Sequence, residues 1–202
     1  MKLLIATHNP GKLREYADLL AGLPLKMVSP DDLGIDLDVT ESGATYLENA
    51  RLKAAAYSRA TGLLTLADDS GLEVDILDGA PGIHSARYAL GDDDDRISAL
   101  LRALDAAGAA QQERSARFRC VIVLTDPAGE MWSTTGECAG FIISSPRGSE
   151  GFGYDPVFLF PDLGRTMAEL QPEEKNRISH RARAALALRP ILEHLSGKAS
   201  AG

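Results

Sequence analysis

Residues 66–82, L-A-D-D-S-G-L-E-V-D-I-L-D-G-A-P-G, join an apolar run to two adjacent carboxylates. The run covers residues 62–67, leads directly into Asp68 and Asp69, and is followed by a Ser-Gly pair. We predict a strand over residues 63–68 that ends at the acidic pair, with a turn at Ser70. A buried carboxylate must be paired or bind a metal. The pair therefore indicates a site that holds a hard cation.

The composition is that of an ordinary globular protein. Of 202 residues, 45% are hydrophobic and 25% are charged, so we expect one domain over residues 1–202, built of two lobes. The formal net charge of −8 argues against a nucleic-acid partner. A phosphorylated substrate would need local cations to overcome this charge.

Cysteine content and hydropathy predict the compartment. Cys120 and Cys138 each lie in an apolar run, and we interpret both as reduced core residues. No run approaches 18 apolar residues, and the N-terminus lacks a signal-peptide segment. We therefore expect a cytoplasmic protein with no membrane partner.

Hydrophobic periodicity predicts alternating strands and helices at first and clustered strands later, which favours an α/β fold with a mixed sheet and a second, more antiparallel lobe. The final helix begins after Ser179, ends or kinks at Pro190 and resumes over residues 191–195. Residues after Ser196 are expected to be frayed. The predicted strands cover residues 2–6, 25–28, 63–68, 118–124, 131–136, 139–143 and 156–160. The other predicted helices cover residues 13–20, 44–60 and 97–104.

The turn between the first strand and the first helix is a candidate phosphate-binding loop, because backbone N–H groups at a helix start point towards an anion. It is not a Walker A motif, since Ala6 replaces the first glycine and Leu13 follows the lysine. A plain helix-capping turn with a surface lysine explains the same residues. The turn consists of Thr7, His8, Asn9, Pro10, Gly11 and Lys12.

Further acidic residues extend the Asp68–Asp69 pair towards a magnesium site. Glu41 lies just before the predicted second helix and Glu48 within it, although capping and solvation explain either one. Mg²⁺ takes one or two carboxylates, keeps several waters and completes its octahedron with substrate phosphates. The four aspartates at residues 92–95 are interpreted as a solvated helix start rather than a metal site.

The glycine-rich residues 144–155 contain Gly-Phe-Gly-Tyr-Asp. This pattern allows a flat base to approach closely, with Phe152 available to stack and Asp155 to accept a hydrogen bond. A wide hairpin loop with a core aromatic is the alternative. Further along, Lys175 and Arg181 either bind phosphate or form a basic helix surface. Together the acids, the cations and the glycine-aromatic loop fit one nucleoside triphosphate.

Five motifs in this order resemble the inosine/xanthosine triphosphate pyrophosphatase family, also called Ham1-like. They are T-H-N-P-G-K, E-S-G-A-T-Y-L-E-N-A, A-D-D-S-G-L with G-A-P-G-I-H-S-A-R-Y, G-F-G-Y-D-P, and K-N-R-I-S-H-R, and the resemblance covers nearly the whole chain. It implies an elongated α/β fold with a nucleotide cleft between two lobes, in a homodimer. It also implies Mg²⁺-dependent cleavage of ITP, dITP or XTP to a nucleoside monophosphate and pyrophosphate.

The resemblance further implies residue roles. Asp69 would be the catalytic acceptor, and Glu41 and Asp69 would bind the metal. Residues 7–12 would hold the phosphates, with His8 at a position where the family has glycine. The other substrate contacts that the resemblance implies are Ser70, Phe152, Gly153, Tyr154, Asp155, Lys175, His180 and Arg181.

These roles lead to a hypothesis for the mechanism. Mg²⁺ would neutralise charge on the leaving pyrophosphate, while Asp69 orients or deprotonates a water for attack at the α-phosphorus. Asp68 would tune Asp69 by like-charge repulsion or bind the metal through water. A donor from His180 or Arg181 at the 6-keto oxygen would favour inosine and xanthosine over adenosine.

Two other functions compete with this one. A Maf-like pyrophosphatase for modified pyrimidine or methylated nucleotides is disfavoured by the His180–Arg181 pair and the glycine-aromatic loop. A nucleotide-binding sensor without turnover is disfavoured by the carboxylates of Glu41 and Asp69.

Overall fold

The computed structural model describes the backbone of residues 1–200 and the side chains of residues 1–197. This part of the chain forms strands and α-helices joined by short 3-10 turns. The strands are β1 (Lys2–Ile5), β2 (Lys26–Val28), β3 (Leu64–Val74), β4 (Ser115–Thr125), β5 (Met131–Ile142), β6 (Phe158–Phe160) and β7 (Arg165–Thr166). The helices are α1 (Pro10–Leu19), α2 (Tyr46–Thr61), α3 (Asp93–Ala106), α4 (Pro172–Ile178) and α5 (His180–Ser200).

The strands form one mixed sheet in the order β2-β1-β3-β4-β5-β6-β7. Strand β1 pairs in parallel with β2 and β3, so that Leu3 lies opposite Met27 on one side and Leu64 on the other. Strand β6 pairs in antiparallel fashion with β5 and β7. The predicted α/β fold with a mixed sheet is confirmed.

Strand β3 is longer than predicted. It does not end at Asp68 but continues to Val74, so that Ser70 and the following glycine are strand residues and not a turn. Strand β3 lies between β1 and β4, and pairing on both sides overrides the local tendency of Ser-Gly to turn. The acidic pair therefore lies in mid-strand, where Asp68 is 2% and Asp69 6% exposed.

The chain falls into two compact units, and the predicted cleft between two lobes stays a prediction. The first unit comprises residues 1–69, 120–136 and those from 181 onwards. The second comprises residues 70–119 and 137–180.

Each unit has its own apolar core. In the first unit, one cluster includes Leu66 and Ile122, and another includes Ala54. In the second unit, Leu100 and Phe158 belong to one large cluster. Burial of these side chains is the main favourable contribution to the folding of each unit.

One further predicted boundary is wrong because packing overrides a local breaker. Strand β5 is continuous, with Glu137 on its exposed face between the buried Gly136 and Cys138, where two strands were predicted. Helix α5 continues through Pro190, and residues 191–195 are helical as predicted. Leu188 and Leu192 on either side of this proline are fully buried in the first unit's core, which holds the helix in place.

The remaining sequence predictions concern the C-terminus, the cysteines and the membrane. The predicted frayed tail after Ser196 falls partly on α5, which continues to Ser200, and partly on residues 201–202, which lie outside the described residues. Cys120 and Cys138 are buried and not joined in a disulfide, as predicted. Within residues 1–200, no helix is both long and apolar enough to cross a membrane.

Candidate active site

A side-chain cap starts helix α1 directly after β1. Asn9 Oδ1 accepts hydrogen bonds from the N–H groups of Gly11 (2.8 Å) and Lys12 (3.1 Å). Pro10 occupies the first turn, where its missing N–H is not needed. The predicted helix cap is confirmed, but Lys12 is not a surface lysine, because its side chain is 16% exposed and lies 2.9 Å from Asp68 Oδ2. Because Asn9 already binds these two N–H groups, the Lys12 ammonium carries most of the positive charge of the turn.

Asp68 is a buried carboxylate that is paired with cations. Its Oδ2 lies 2.9 Å from Lys12 Nζ and 3.2 Å from Arg181 Nη2. Burial alone would raise the pKa of Asp68, but Lys12, Arg181 and Lys53 outweigh it and hold that pKa well below its usual range. Asp68 is therefore an anion at any physiological pH, and it holds Lys12 at the start of α1.

Arg181 belongs to the same buried network. Its Nη1 lies 2.6 Å from Glu15 Oε2 on α1, while Nη2 contacts Asp68. The residue is 1% exposed, and the two carboxylates compensate the cost of burying its charge. The predicted contact between Arg181 and substrate stays a prediction.

Asp69 has a different environment from that of its neighbour. Asn49 Nδ2 donates to Asp69 Oδ2 at 3.0 Å. Burial raises the pKa of Asp69 and Glu41 raises it further, against the opposing effects of Lys53 and the Asn49 amide. A carboxylate with a raised pKa is a better proton acceptor than an ordinary aspartate, which suits the predicted catalytic role.

Lys53 links the acidic groups of this site. Its Nζ lies 2.7 Å from Glu41 Oε1 and 2.6 Å from the backbone oxygen of Asp68. Burial would lower the pKa of Lys53, but the charges of Asp68, Glu41 and Asp69 outweigh it and raise that pKa. Lys53 is therefore a cation surrounded by acceptors, in a position to balance their charge.

In the second unit, the glycine-aromatic loop is organised around Asp155. Asp155 Oδ2 accepts hydrogen bonds from Lys175 Nζ at 2.6 Å and from the Phe152 N–H at 3.0 Å. Lys175 Nζ also lies 4.9 Å from the centre of the Phe152 ring. A Cβ on Gly151 would lie 2.0 Å from Asp155 Oδ2, so glycine is required at that position. The structure thus brings together three of the predicted substrate contacts, Phe152, Asp155 and Lys175.

The other predicted contacts of the second unit are held by packing. The His180 ring is stacked on Phe118, with centroids 4.7 Å apart, and is 4% exposed. Tyr154 OH donates to the backbone oxygen of Ser85 at 3.0 Å, while Ser70 is a half-buried residue of β3. These contacts restrict the conformations of the side chains that we predict to touch substrate.

Comparison with known proteins identifies the family of this chain. The sequence model of the Ham1 family matches residues 3–191. The chain belongs to the Ham1 family. It is 48% identical over 198 residues to a protein of Geobacillus kaustophilus (strain HTA426) named dITP/XTP pyrophosphatase, covering 97% of this chain and 96% of that protein. A Geobacter sulfurreducens protein of the same name is 46% identical over 191 residues, 95% of this chain and 96% of that protein.

Solved Ham1 structures agree with the fold. The structure of a HAM1 protein from Coxiella burnetii superposes with a TM-score of 0.86 at 41% identity, covering 96% of this chain and 99% of that one. The predicted family and the predicted fold class are therefore confirmed.

The donor set of this Ham1 chain fits a hard cation held by two carboxylates. Among the described residues, no three His, Cys, Asp or Glu side chains converge on a metal position, but Mg²⁺ bound with substrate phosphates needs only one or two carboxylates. Burial, with a contribution from Glu41, raises the pKa of Asp69, and a divalent cation beside both carboxylates would relieve that repulsion. Glu48, the other candidate, accepts the Ala44 N–H at 2.6 Å and acts as a cap of α2.

Sequence reasoning did not identify Asn49, Lys53 or Glu15 as site residues. Asn49 and Lys53 are four residues apart on α2 and so lie on one face of the helix, which is a signal that the sequence contained. Glu15 gave no such signal, because its partner Arg181 is 166 residues away. His8 pairs with Asp31 (2.9 Å) and Tyr57 (3.1 Å), and its contact with phosphate stays a prediction.

Proposed function

We propose that this Ham1 protein hydrolyses dITP, ITP and XTP to the nucleoside monophosphate and pyrophosphate, and so removes non-standard purine nucleotides. The observation that carries the proposal is the different environment of two neighbouring carboxylates on β3. Asp68 is paired with Lys12 and Arg181, whereas Asp69 contacts the Asn49 side-chain amide. The relatives named dITP/XTP pyrophosphatase, which match over nearly the whole chain, support the same reaction.

We propose Glu41 and Asp69 as ligands of Mg²⁺. When bound there, the metal would neutralise charge on the phosphates and on the leaving pyrophosphate. Lys53, which contacts Glu41 and the backbone of Asp68, would orient the Glu41 carboxylate towards it. The two carboxylates and their mutual repulsion support this assignment.

Asp69 would accept the proton of the attacking water. The water oxygen bonds to the α-phosphorus, the bond from that phosphorus to the bridging oxygen of the β-phosphate breaks, and pyrophosphate leaves with the bonding electrons. Lys12, the last residue of the proposed phosphate turn, supplies a cation there. Burial lowers the pKa of Lys12, although the charge of Asp68 opposes this effect. Local cations are needed because the chain as a whole carries a formal charge of −8.

We propose that the second unit supplies base recognition. Phe152 offers a ring for stacking, and Lys175 beside it carries a donor. Inosine and xanthosine present a 6-keto acceptor where adenosine presents an amino donor. A buried donor aimed at this position would lose its hydrogen bond with adenosine, which can reduce the rate by up to about 10⁴-fold.

The test is pyrophosphate release from dITP, XTP, dGTP and dATP, with and without Mg²⁺. We expect release from dITP and XTP in the presence of Mg²⁺, and much slower release from dATP, which lacks the 6-keto acceptor. The rate on dGTP, which shares that acceptor, measures whether the 2-amino group is refused as well. Equal rates on all four would refute the proposed specificity. Hydrolysis of modified pyrimidine nucleotides instead would favour the Maf-like alternative, and binding of dITP without release would favour the sensor.

We also propose that the enzyme is a homodimer in the cytoplasm. The resemblance to the family supports the dimer, and two buried cysteines without a disulfide are typical of a reducing compartment. Light scattering on the purified protein tests the dimer, since a monomer at micromolar concentration would contradict it.

A further inference from the structure

We propose that Asp93 is a positioning residue that holds the glycine-aromatic loop and thereby sets the affinity of the enzyme for the base of its substrate. The inference rests on the proposed function, because it assumes that this loop contacts the base. Asp93 belongs to the aspartate run at residues 92–95, which was interpreted from sequence as a helix start only.

The contact that carries the inference joins two distant segments of the second unit. The Gly153 N–H donates to Asp93 Oδ2 at 2.7 Å, across 60 residues of chain. The acceptor is a carboxylate, so the hydrogen bond is of the stronger, charge-assisted kind. Gly153 has a φ of +65°, and an external acceptor for its N–H fixes the chain direction at this left-handed turn.

Asp93 is free of the capping function that its neighbours perform. Asp92 caps α3 by accepting the N–H groups of Asp94 and Asp95, and the Asp95 side chain accepts the Asp92 N–H. Asp93 is held instead by Arg96, whose Nη2 lies 2.5 Å from Asp93 Oδ1. Arg96 also donates to the backbone oxygen of Gly91 at 3.0 Å. This network orients the Asp93 carboxylate towards Gly153. Capping of α3 does not require that contact.

Gly153, whose N–H binds Asp93, lies between Phe152 and Tyr154, which we predict to touch substrate. On one side, the Phe152 N–H and Lys175 Nζ share Asp155 Oδ2. On the other side, Tyr154 OH donates a hydrogen bond to the backbone oxygen of Ser85. Asp93 is therefore the charged anchor that reaches this turn from α3. Loss of the anchor would let the Phe152 ring sample more orientations, which weakens stacking on a base without changing the groups that attack the α-phosphorus.

The principal test compares Asp93→Ala with Asp94→Ala. Asp94 is exposed, and its side chain makes no hydrogen bond or ion pair with the described residues. Both changes remove one carboxylate from the first turn of α3, so the loss of favourable charge at the helix start is matched. We expect Asp93→Ala to raise KM for dITP by about fivefold to tenfold with kcat within about twofold, as for one lost charge-assisted hydrogen bond. Asp94→Ala should match the wild type.

A conservative variant and two inhibitors separate positioning from general damage. Asp93→Asn keeps an oxygen acceptor for the Gly153 N–H, so its KM for dITP should be close to the wild-type value. Inhibition by dIMP, which carries the base, should weaken in Asp93→Ala as much as KM rises. Inhibition by pyrophosphate with Mg²⁺ should be unchanged. Equal KM in the two alanine variants, or an equal weakening of pyrophosphate inhibition, would overturn the inference.

Amide exchange gives a readout that does not require turnover. Hydrogen exchange over residues 149–158 should be faster in Asp93→Ala than in Asp94→Ala, because the Gly153 N–H loses its acceptor. If the wild type releases no pyrophosphate from dITP, the proposed function fails. Unchanged exchange in the Asp93 variant shows instead that the positioning inference is wrong.

Discussion

At the scale of single residues, two neighbouring aspartates have opposite environments because successive side chains of a strand point to opposite faces of the sheet. Asp68 contacts Lys12 at the start of α1 and Arg181 at the start of α5. Asp69 contacts Asn49 on α2. Asp68 is therefore paired with cations of the fold, whereas Asp69 is the carboxylate to which we assign the chemistry.

Replacing Asp69 by asparagine tests its catalytic role. Asparagine has nearly the same volume and keeps an oxygen for the Asn49 amide, so the fold should be retained. It cannot accept the proton of water, so kcat should fall by at least about 100-fold, the contribution expected of a general base. Asp78→Asn is the matched control, because Asp78 is exposed with a φ of +51°, a conformation that asparagine also adopts. A kcat near the wild-type value in Asp69→Asn would rule out the assignment.

Replacing Asp68 by asparagine tests the buried network. The pKa of Asp68 is lowered in the folded state, so its stabilisation is fully present above the unfolded pKa of about 3.9 and is lost as the pH falls through the acid range below it. We expect Asp68→Asn to cost about 3–5 kcal/mol in the free energy of unfolding at pH 7, because Lys12 and Arg181 lose their shared anion. Urea unfolding should show this difference shrinking as the pH is lowered below 4.

The control for Asp68 is an exposed ion pair. Glu137 is 61% exposed and lies 3.2 Å from Arg119, so Glu137→Gln should cost less than about 1 kcal/mol. A cost for Asp68→Asn no larger than this would show that the buried network does not stabilise the fold.

At the scale of elements, the start of α1 combines a structural cap with a proposed phosphate contact. Asn9 binds two N–H groups of the first turn, and Lys12 at the same end of the helix is held by Asp68. Residues of this turn would thus have to cap the helix and also bind an anion. The two demands can be separated by changing the charge of the cap.

Two substitutions at Asn9 separate capping from phosphate binding. Asn9→Ala removes the acceptor and should lower the free energy of unfolding by about 1 kcal/mol. Asn9→Asp keeps the cap and its stability, but places a negative charge at the turn, so KM for dITP should rise more than in Asn9→Ala. Urea unfolding and steady-state kinetics on both variants measure the two effects. An unchanged KM in Asn9→Asp would mean that the phosphates do not approach this turn.

At the scale of the whole molecule, pairing within the sheet explains which predicted boundaries are right and which are wrong. The order of strands and helices was predictable because apolar residues recur with periods of two and 3.6, and the motif order indicated the Ham1 family. The errors occurred where distant pairing overrides a local breaker. Strand β3 continues past Ser70 because β1 and β4 flank it, and β5 is one continuous strand where two were predicted.

By itself, the sequence determined the α/β class, the family resemblance and the residue types of the site, because these depend on composition, periodicity and motif order along the chain. Only the tertiary structure decided how the acidic pair is divided, since the cations that lock Asp68 come from α1 and α5, 56 and 113 residues away. It likewise decided that Asp93 holds Gly153. The physical reason is the same in both cases, because the partners of a charged side chain are set by folded neighbours that no local pattern encodes.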